Sequence, residues 1–179
     1  MLTVRFFIVT CYVRAMNAAI TIRKMNPSEF SCLDDFLYEA IYIPKGQEKP
    51  DKVILKIPEL SCYVKDFGKD TDLCLVAESQ NKLMGAIWIR LFSGKERGYG
   101  FVDSKTPELS MSVREKFRNQ GIGTQLLRAM MEQLTRLNYE QVSLSVDKEN
   151  FAFQLYRKFG FETLLSDGSS VTMIRKLKS

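Results

Sequence analysis

The stretch Val113-Arg114-Glu115-Lys116-Phe117-Arg118-Asn119-Gln120-Gly121-Ile122-Gly123-Thr124 joins the end of an alternating strand to the start of an amphipathic helix. The joint is a short basic turn with two glycines. Glycine lets backbone approach a ligand closely, and the free N–H groups of a helix N-terminus point at negative charge, so such a turn makes an anion cradle. Arg114, Lys116 and Arg118 add positive charge around it. A plain strand-to-helix turn, with glycines that only permit tight geometry, reads the same residues without a ligand. The spacing is neither the Walker loop nor the Gly-x-Gly-x-x-Gly dinucleotide fingerprint.

Working outward, residues 108–113 (ELSMSV) alternate, which puts Glu108, Ser110 and Ser112 on one strand face. Residues 122–137 carry Ile122, Leu126, Leu127, Met130, Leu134 and Leu137 on one helical side. A strand over 141–146, a helix over 150–159 closed by Gly160, and strands over 161–165 and 171–177 around a Ser-Asp-Gly-Ser turn follow. Upstream, 20–24 (ITIRK) is a half-buried strand. Asn26-Pro27-Ser28-Glu29 then reads as a helix cap, a proline in the first turn and a capping glutamate. Residues 57–67 predict a second helix ending at Gly68, and 73–78 and 83–92 a hairpin about Ser79-Gln80-Asn81-Lys82. The glycine-rich segment 93–105 around Tyr99 reads as a mobile loop. Strands and helices mix without regular alternation, which predicts a mixed α/β or α+β sheet rather than a doubly wound parallel one.

The 179 residues suit one domain, assigned here to 16–179, with 1–15 as an extension ahead of a second possible start at Met16. That apolar extension is interrupted by Arg5 and is too short for a membrane span of about 20 residues. Hydrophobic content of 45% and charged content of 26% are those of a soluble globular chain. The chain has no histidine, which excludes Ser-His-Asp and Cys-His nucleophile pairs, His-ligated zinc and histidine bases. No metal site is expected. Cys11, Cys32, Cys62 and Cys74 show no CxxC spacing and read as small buried hydrophobes in a reducing cytoplasm. The net charge of +5 contains no long basic block, so nucleic acid and membrane surfaces are not expected partners.

The segment 118–123 (RNQGIG) matches the Gln/Arg-x-x-Gly-x-Gly/Ala pyrophosphate loop of GNAT-type N-acetyltransferases, which the chain resembles from about residue 20 to 177. About 30 residues on, 145–161 (SVDKENFAFQLYRKFGF) resembles that family's second signature, a strand, then Asn-x-Ala-x-x-x-Tyr, then Gly-Phe. The resemblance implies a twisted, mostly antiparallel central sheet of six to seven strands flanked by about four helices. It implies acetyl-CoA as co-substrate, with backbone amides of Val113 and Arg114 on the pantetheine arm. Arg118, Asn119, Gln120, Gly121, Ile122, Gly123 and Thr124 would hold the pyrophosphate. An amide near Met111 would polarise the thioester carbonyl, the oxyanion-type stabilisation that fixed donors supply. Tyr156 matches the family tyrosine that protonates the departing thiolate; a core aromatic beside Phe153 and Phe159 is the alternative reading. Asn150 caps its helix and also stands where a cofactor contact is implied.

With no histidine, Glu108 is the candidate base for the amine, directly or through a water; a solvated or ion-paired carboxylate is the bland alternative. Trp88 reads as core, and Tyr99 either lines the acceptor pocket or is an exposed loop aromatic. Asp34, Asp35 and Glu39 read as surface. The expected function is direct transfer of an acetyl group to a primary amine, on a small molecule or peptide, by a monomer or homodimer. A catalytically silent acyl-CoA-binding module is the alternative.

Overall fold

A computed structural model describes residues 19–94 and 96–177. The extension over 1–15 and the start at Met16 lie outside the described residues. The first strand, β1 (Thr21–Lys24), leads through a 3-10 turn (Pro27–Cys32) into helix α1 (Leu33–Ala40). The expected cap forms: the Glu29 carboxylate accepts the Asn26 N–H at 2.8 Å, and Arg23 holds the same carboxylate. A second 3-10 turn (Lys52–Lys56) precedes α2 (Pro58–Ser61), which is shorter than the helix predicted over 57–67. Beyond Ser61 the chain runs in mixed turns to Asp66, whose φ of 51° stops any helix.

Strands β2 (Leu73–Ser79) and β3 (Lys82–Arg90) form the predicted hairpin, with Gln80 and Asn81 both left-handed as a two-residue turn requires. Strand β4 (Glu108–Val113), helix α3 (Ile122–Arg136) and strand β5 (Gln141–Asp147) make one crossover unit. Helix α4 (Phe151–Lys158) and the hairpin β6 (Glu162–Asp167) and β7 (Ser170–Lys176) complete the described chain. The seven strands lie in the order β1-β2-β3-β4-β5-β7-β6. Every neighbouring pair is antiparallel except β4 and β5.

Two apolar layers cover the sheet. On one face α3 and α4 bury Ile122, Leu126, Leu127, Met130, Leu134 and Tyr156 against Ile87, Leu109, Leu144 and Met173. On the other, α1 and the turns around Tyr63 bury Leu33, Phe36 and Leu37 against Val76, Ala86 and Trp88. Trp88 is fully buried, as its apolar strand predicts. The Ser112 hydroxyl donates to the Phe36 carbonyl at 2.8 Å and ties α1 to β4. No described helix is long and apolar enough to cross a membrane.

The feature that positions a site is the parallel pair. Strands β4 and β5 meet at one register position, Glu108 opposite Ser143, and share no further pairing toward their C-terminal ends. They part as a V. Both α3 and α4 follow these strands, so both helix N-termini sit at the open end, where open sheets place ligands.

Candidate active site

Alternation of ladder bonds sets which amides line the V. The Arg114 N–H donates to the Met84 carbonyl at 2.9 Å, on the β3 side. In an antiparallel strand successive residues point to opposite edges, so the amides of Met111 and Val113 face away from β3. Two observations agree with this parity: Pro107 and Val113 turn their carbonyls the same way, to Ser143 N–H and to Arg118 Nε. Of the two amides expected on a pantetheine arm, that of Val113 is turned into the V and that of Arg114 is already committed to Met84. The expectation for the Arg114 amide is corrected by this ladder bond. Its guanidinium stacks over Phe36, 5.0 Å from the ring centre, with a buried Nε that has no protein partner.

Below the open end the turn closes on α3. Asn119 and Gly121 are left-handed, with φ of 60° and 76°. The first intrahelical bond of α3 runs from Gln125 N–H to the Gly121 carbonyl, so the N–H groups of Ile122, Gly123 and Thr124 have no helical acceptor. A Cβ at Gly121 would meet nothing within 4 Å. Free donors, a positive helix end and open space fit a diphosphate, and the fit comes from backbone. Side-chain charge contributes less than expected. The Arg118 guanidinium is spent on the Val113 carbonyl at 3.0 Å and on Glu39 at 3.2 Å. Glu39 is therefore part of the turn's clamp, while Asp34 and Asp35 stay at the surface.

Gly123 brings the helices and β4 together: a Cβ there would lie 3.5 Å from the Leu155 side chain and 3.7 Å from the Met111 thioether end. Tyr156, next to Leu155, is buried against Phe161, with ring centres 5.7 Å apart, and burial pushes its phenol well above the ordinary value. Asn150 caps α4, its Oδ1 accepting the Ala152 N–H at 2.9 Å.

Glu108 lies at the vertex of the V, on the opposite sheet face from Tyr156. Only 3% of it is exposed, and no cation among the described residues pairs with it. Its Oε1 accepts from the Tyr63 hydroxyl at 2.5 Å and from the Gly100 N–H at 2.8 Å; Oε2 is buried without a protein donor. Desolvation pushes the carboxyl up to about 7, against the smaller downward pull of those two hydrogen bonds. The solvated or ion-paired reading of Glu108 does not survive this burial.

The loop expected to be mobile is docked here. A Cβ at Gly100 would lie 2.5 Å from the Leu144 carbonyl carbon, and one at Gly98 would collide with the Glu108 carboxylate and with the Tyr63 hydroxyl at 2.6 Å. These glycines allow the backbone to lie directly on the carboxylate. Tyr99 between them is 59% exposed, with its backbone N–H on the Tyr63 oxygen. Tyr63 is the residue that sequence reasoning missed. It stands 45 positions from Glu108, and no local pattern joins the two. A concavity of about 700 Å³ lined by Arg128, Arg136, Lys158 and Arg175 lies toward the C-terminal ends of α3 and α4, away from this chemistry.

The acetyltransferase (GNAT) family model matches residues 36–161. Among solved structures, a GNAT-family acetyltransferase from Streptococcus pneumoniae is similar with a TM-score of 0.66 and 20% identity, covering 88% of this chain and 99% of that one. The PaiA N-acetyltransferase from Thermoplasma acidophilum, solved in complex with coenzyme A, has a TM-score of 0.61 and 23% identity, covering 88% and 99%. The ribosomal-protein-S18-alanine N-acetyltransferase from Escherichia coli has a TM-score of 0.62 and 15% identity, covering 90% and 96%. No curated protein matches the sequence. With a sheet that parts between β4 and β5, a glycine turn opening α3, and a family model spanning most of the chain, this protein belongs to the GNAT acetyltransferase family.

Proposed function

We propose that the protein transfers the acetyl group of acetyl-CoA directly to a primary amine, with both substrates bound at once. The observation that carries this reading is the V between β4 and β5, which exposes the Met111 and Val113 amides beside the free N-terminus of α3. Coenzyme A bound to the Thermoplasma protein of the same fold supports the choice of donor. The amides of residues 119–124 would take its pyrophosphate, that of Arg118 being held by the Glu115 carbonyl, the Val113 amide would take its pantetheine arm, and Asn150 stands at the neighbouring helix cap. Acetyl-CoA supplies an acyl group on a good leaving thiol.

The chain's own residues supply the rest. The Met111 amide donates to the carbonyl oxygen as negative charge develops there, a contribution of about 2.7–4 kcal/mol for one such donor. Glu108 accepts the proton of the attacking amine, directly or through one water, and a carboxyl held near 7 is matched to that task. The N–C bond forms, the C–S bond breaks, and Tyr156 gives its proton to the departing thiolate. Glu108, against Tyr63, and Tyr156 lie on opposite faces of the sheet, so in this reading the amine and the thiolate meet different side chains. No covalent acetyl-enzyme is needed: burial pushes the Cys62 thiol up to about 11 and that of Cys74 higher still, away from thiolate character.

The acceptor is a small-molecule or peptide amine, and the setting proposed is the cytoplasm, where such thiols stay reduced. Thiol release from acetyl-CoA, followed across small amines, amino acids, polyamines and peptides, tests the reading. Amine-dependent release is the expected result. Tight CoA binding with no turnover on any amine overturns the enzyme reading in favour of a silent binding module.

A further inference from the structure

We propose that Tyr63 is a positioning residue for Glu108, holding the carboxylate by Oε1 so that Oε2 is the oxygen that takes the amine's proton. The inference rests on the reading of Glu108 as base. The direction of each hydrogen bond follows from the atoms present. The Tyr99 backbone nitrogen is 2.6 Å from the Tyr63 oxygen and can only donate, so the single phenolic proton of Tyr63 is free to go to Glu108 Oε1. Oε1 therefore receives two donors, Tyr63 and Gly100 N–H, while Oε2 receives none from the protein. Donors withdraw electron density from the oxygen that they hold, which leaves the other oxygen the more basic of the pair.

Tyr63 is itself fixed from three sides. Phe92 meets it edge-on at 5.4 Å between ring centres. Arg90, the β3 residue opposite Glu108, gathers the carbonyls of Cys62, Lys65 and Asp66 and forks onto Asp72, which anchors the turn that carries Tyr63. Gly98 passes so close that any side chain there would strike both Tyr63 and Glu108. Of the other groups around Glu108, the Arg90 guanidinium is occupied by Asp72 and the carbonyls, Cys62 is half-buried and its thiol is pushed up by desolvation, Glu96 acts from the loop on Cys62, and Ser143 on β5 does not titrate.

The experiment compares the wild type with Tyr63→Phe, Gly98→Ala and Glu108→Gln. Its readouts are kcat/KM against pH, the carbon-13 titration of the Glu108 carboxyl, and CoA affinity as the check on folding. Removing the Tyr63 donor leaves a more basic carboxylate. The acidic limb and the carboxyl titration of Tyr63→Phe should both move to higher pH, with a loss of about ten-fold at pH 6 that recovers near pH 9. CoA affinity should be kept, since Tyr63 contacts Glu108 at the start of β4 while the α3 turn follows the other end of that strand. Gly98→Ala, which parts the same pair from the loop side, should move the limb in the same direction. An unmoved carboxyl titration in Tyr63→Phe, or an equal loss at every pH, overturns the positioning role. Persistence of the acidic limb in Glu108→Gln instead removes Glu108 as base. If Tyr63→Phe fails to bind CoA, an unmoved limb in Gly98→Ala overturns the proposal.

Discussion

Glu108 and Tyr156 were both visible as chemical types in the chain, but their environments were not. A carboxylate that begins an alternating strand is most simply a wet one; here the 98–100 backbone and the Tyr63 ring remove it from water and push it up to about 7. A base must be ionised to work, so kcat/KM of the wild type should rise with pH through about 7. Glu108→Gln should flatten that rise and lower kcat/KM by about 10²- to 10⁴-fold, the usual contribution of a positioned base. Tyr156 stays protonated across the working range because burial raises its phenol, the state a proton donor needs. Tyr156→Phe keeps the ring that packs on Phe161, so turnover should fall by about 10²-fold or more while CoA affinity stays within a few-fold. Unchanged turnover in that variant would assign Tyr156 to the core alone.

At the scale of elements, the turn from β4 into α3 was readable because its constraints are local. Gly121 has φ of 76°, where a β-branched residue is strained by about 1–3 kcal/mol. It also faces open space in front of the helix N-terminus, where a Cβ meets no protein atom within 4 Å, so a side chain there would obstruct an anion. Gly121→Val should weaken CoA about ten- to hundred-fold by calorimetry, the range expected for losing one charge-assisted hydrogen bond. Unaltered affinity would place the pyrophosphate elsewhere. The segment 52–72 was read less well, because its shape is set by Arg90. That side chain is 5% exposed and gathers the carbonyls of Cys62, Lys65 and Asp66, while the buried Asp72 carboxylate accepts from Arg90 and from the Gly68 and Lys69 N–H groups. Arg90→Leu leaves the Asp72 carboxylate buried without its counter-ion, held only by the Gly68 and Lys69 N–H groups. Denaturant unfolding should show a loss of about 3–5 kcal/mol, as for other broken buried pairs.

At the scale of the molecule, two carboxylates pull stability in opposite directions with pH. Glu108 has its folded value raised, so the stability it contributes is full below about 4.5 and is lost as pH rises through about 7. Glu29 has its folded value lowered to about 2 by the Arg23 guanidinium, so its contribution is full above about 4.5 and is lost as pH falls toward 2. Arg23 also reaches Glu78, joining β1 to β2 and to the start of the first helical segment. Unfolding free energies of wild type and Glu108→Gln, measured at pH 5 and pH 8, should therefore diverge: the variant gains relative to wild type at the higher pH. A constant difference would mean that Glu108 is not desolvated in the folded protein.

By itself the sequence determined the strands, the hairpin at Gln80-Asn81, the capped start near Asn26 and the glycine turn before α3, because backbone preference and hydrophobic period act within a few residues. The family followed from the same short-range signals. The parting of β4 from β5, the commitment of the Arg114 amide to Met84, the capture of Arg118 by Glu39 and the contact of Tyr63 with Glu108 were decided only in three dimensions. Each joins groups far apart in the chain, or depends on which water is excluded, and neither quantity is written in any local pattern of residues.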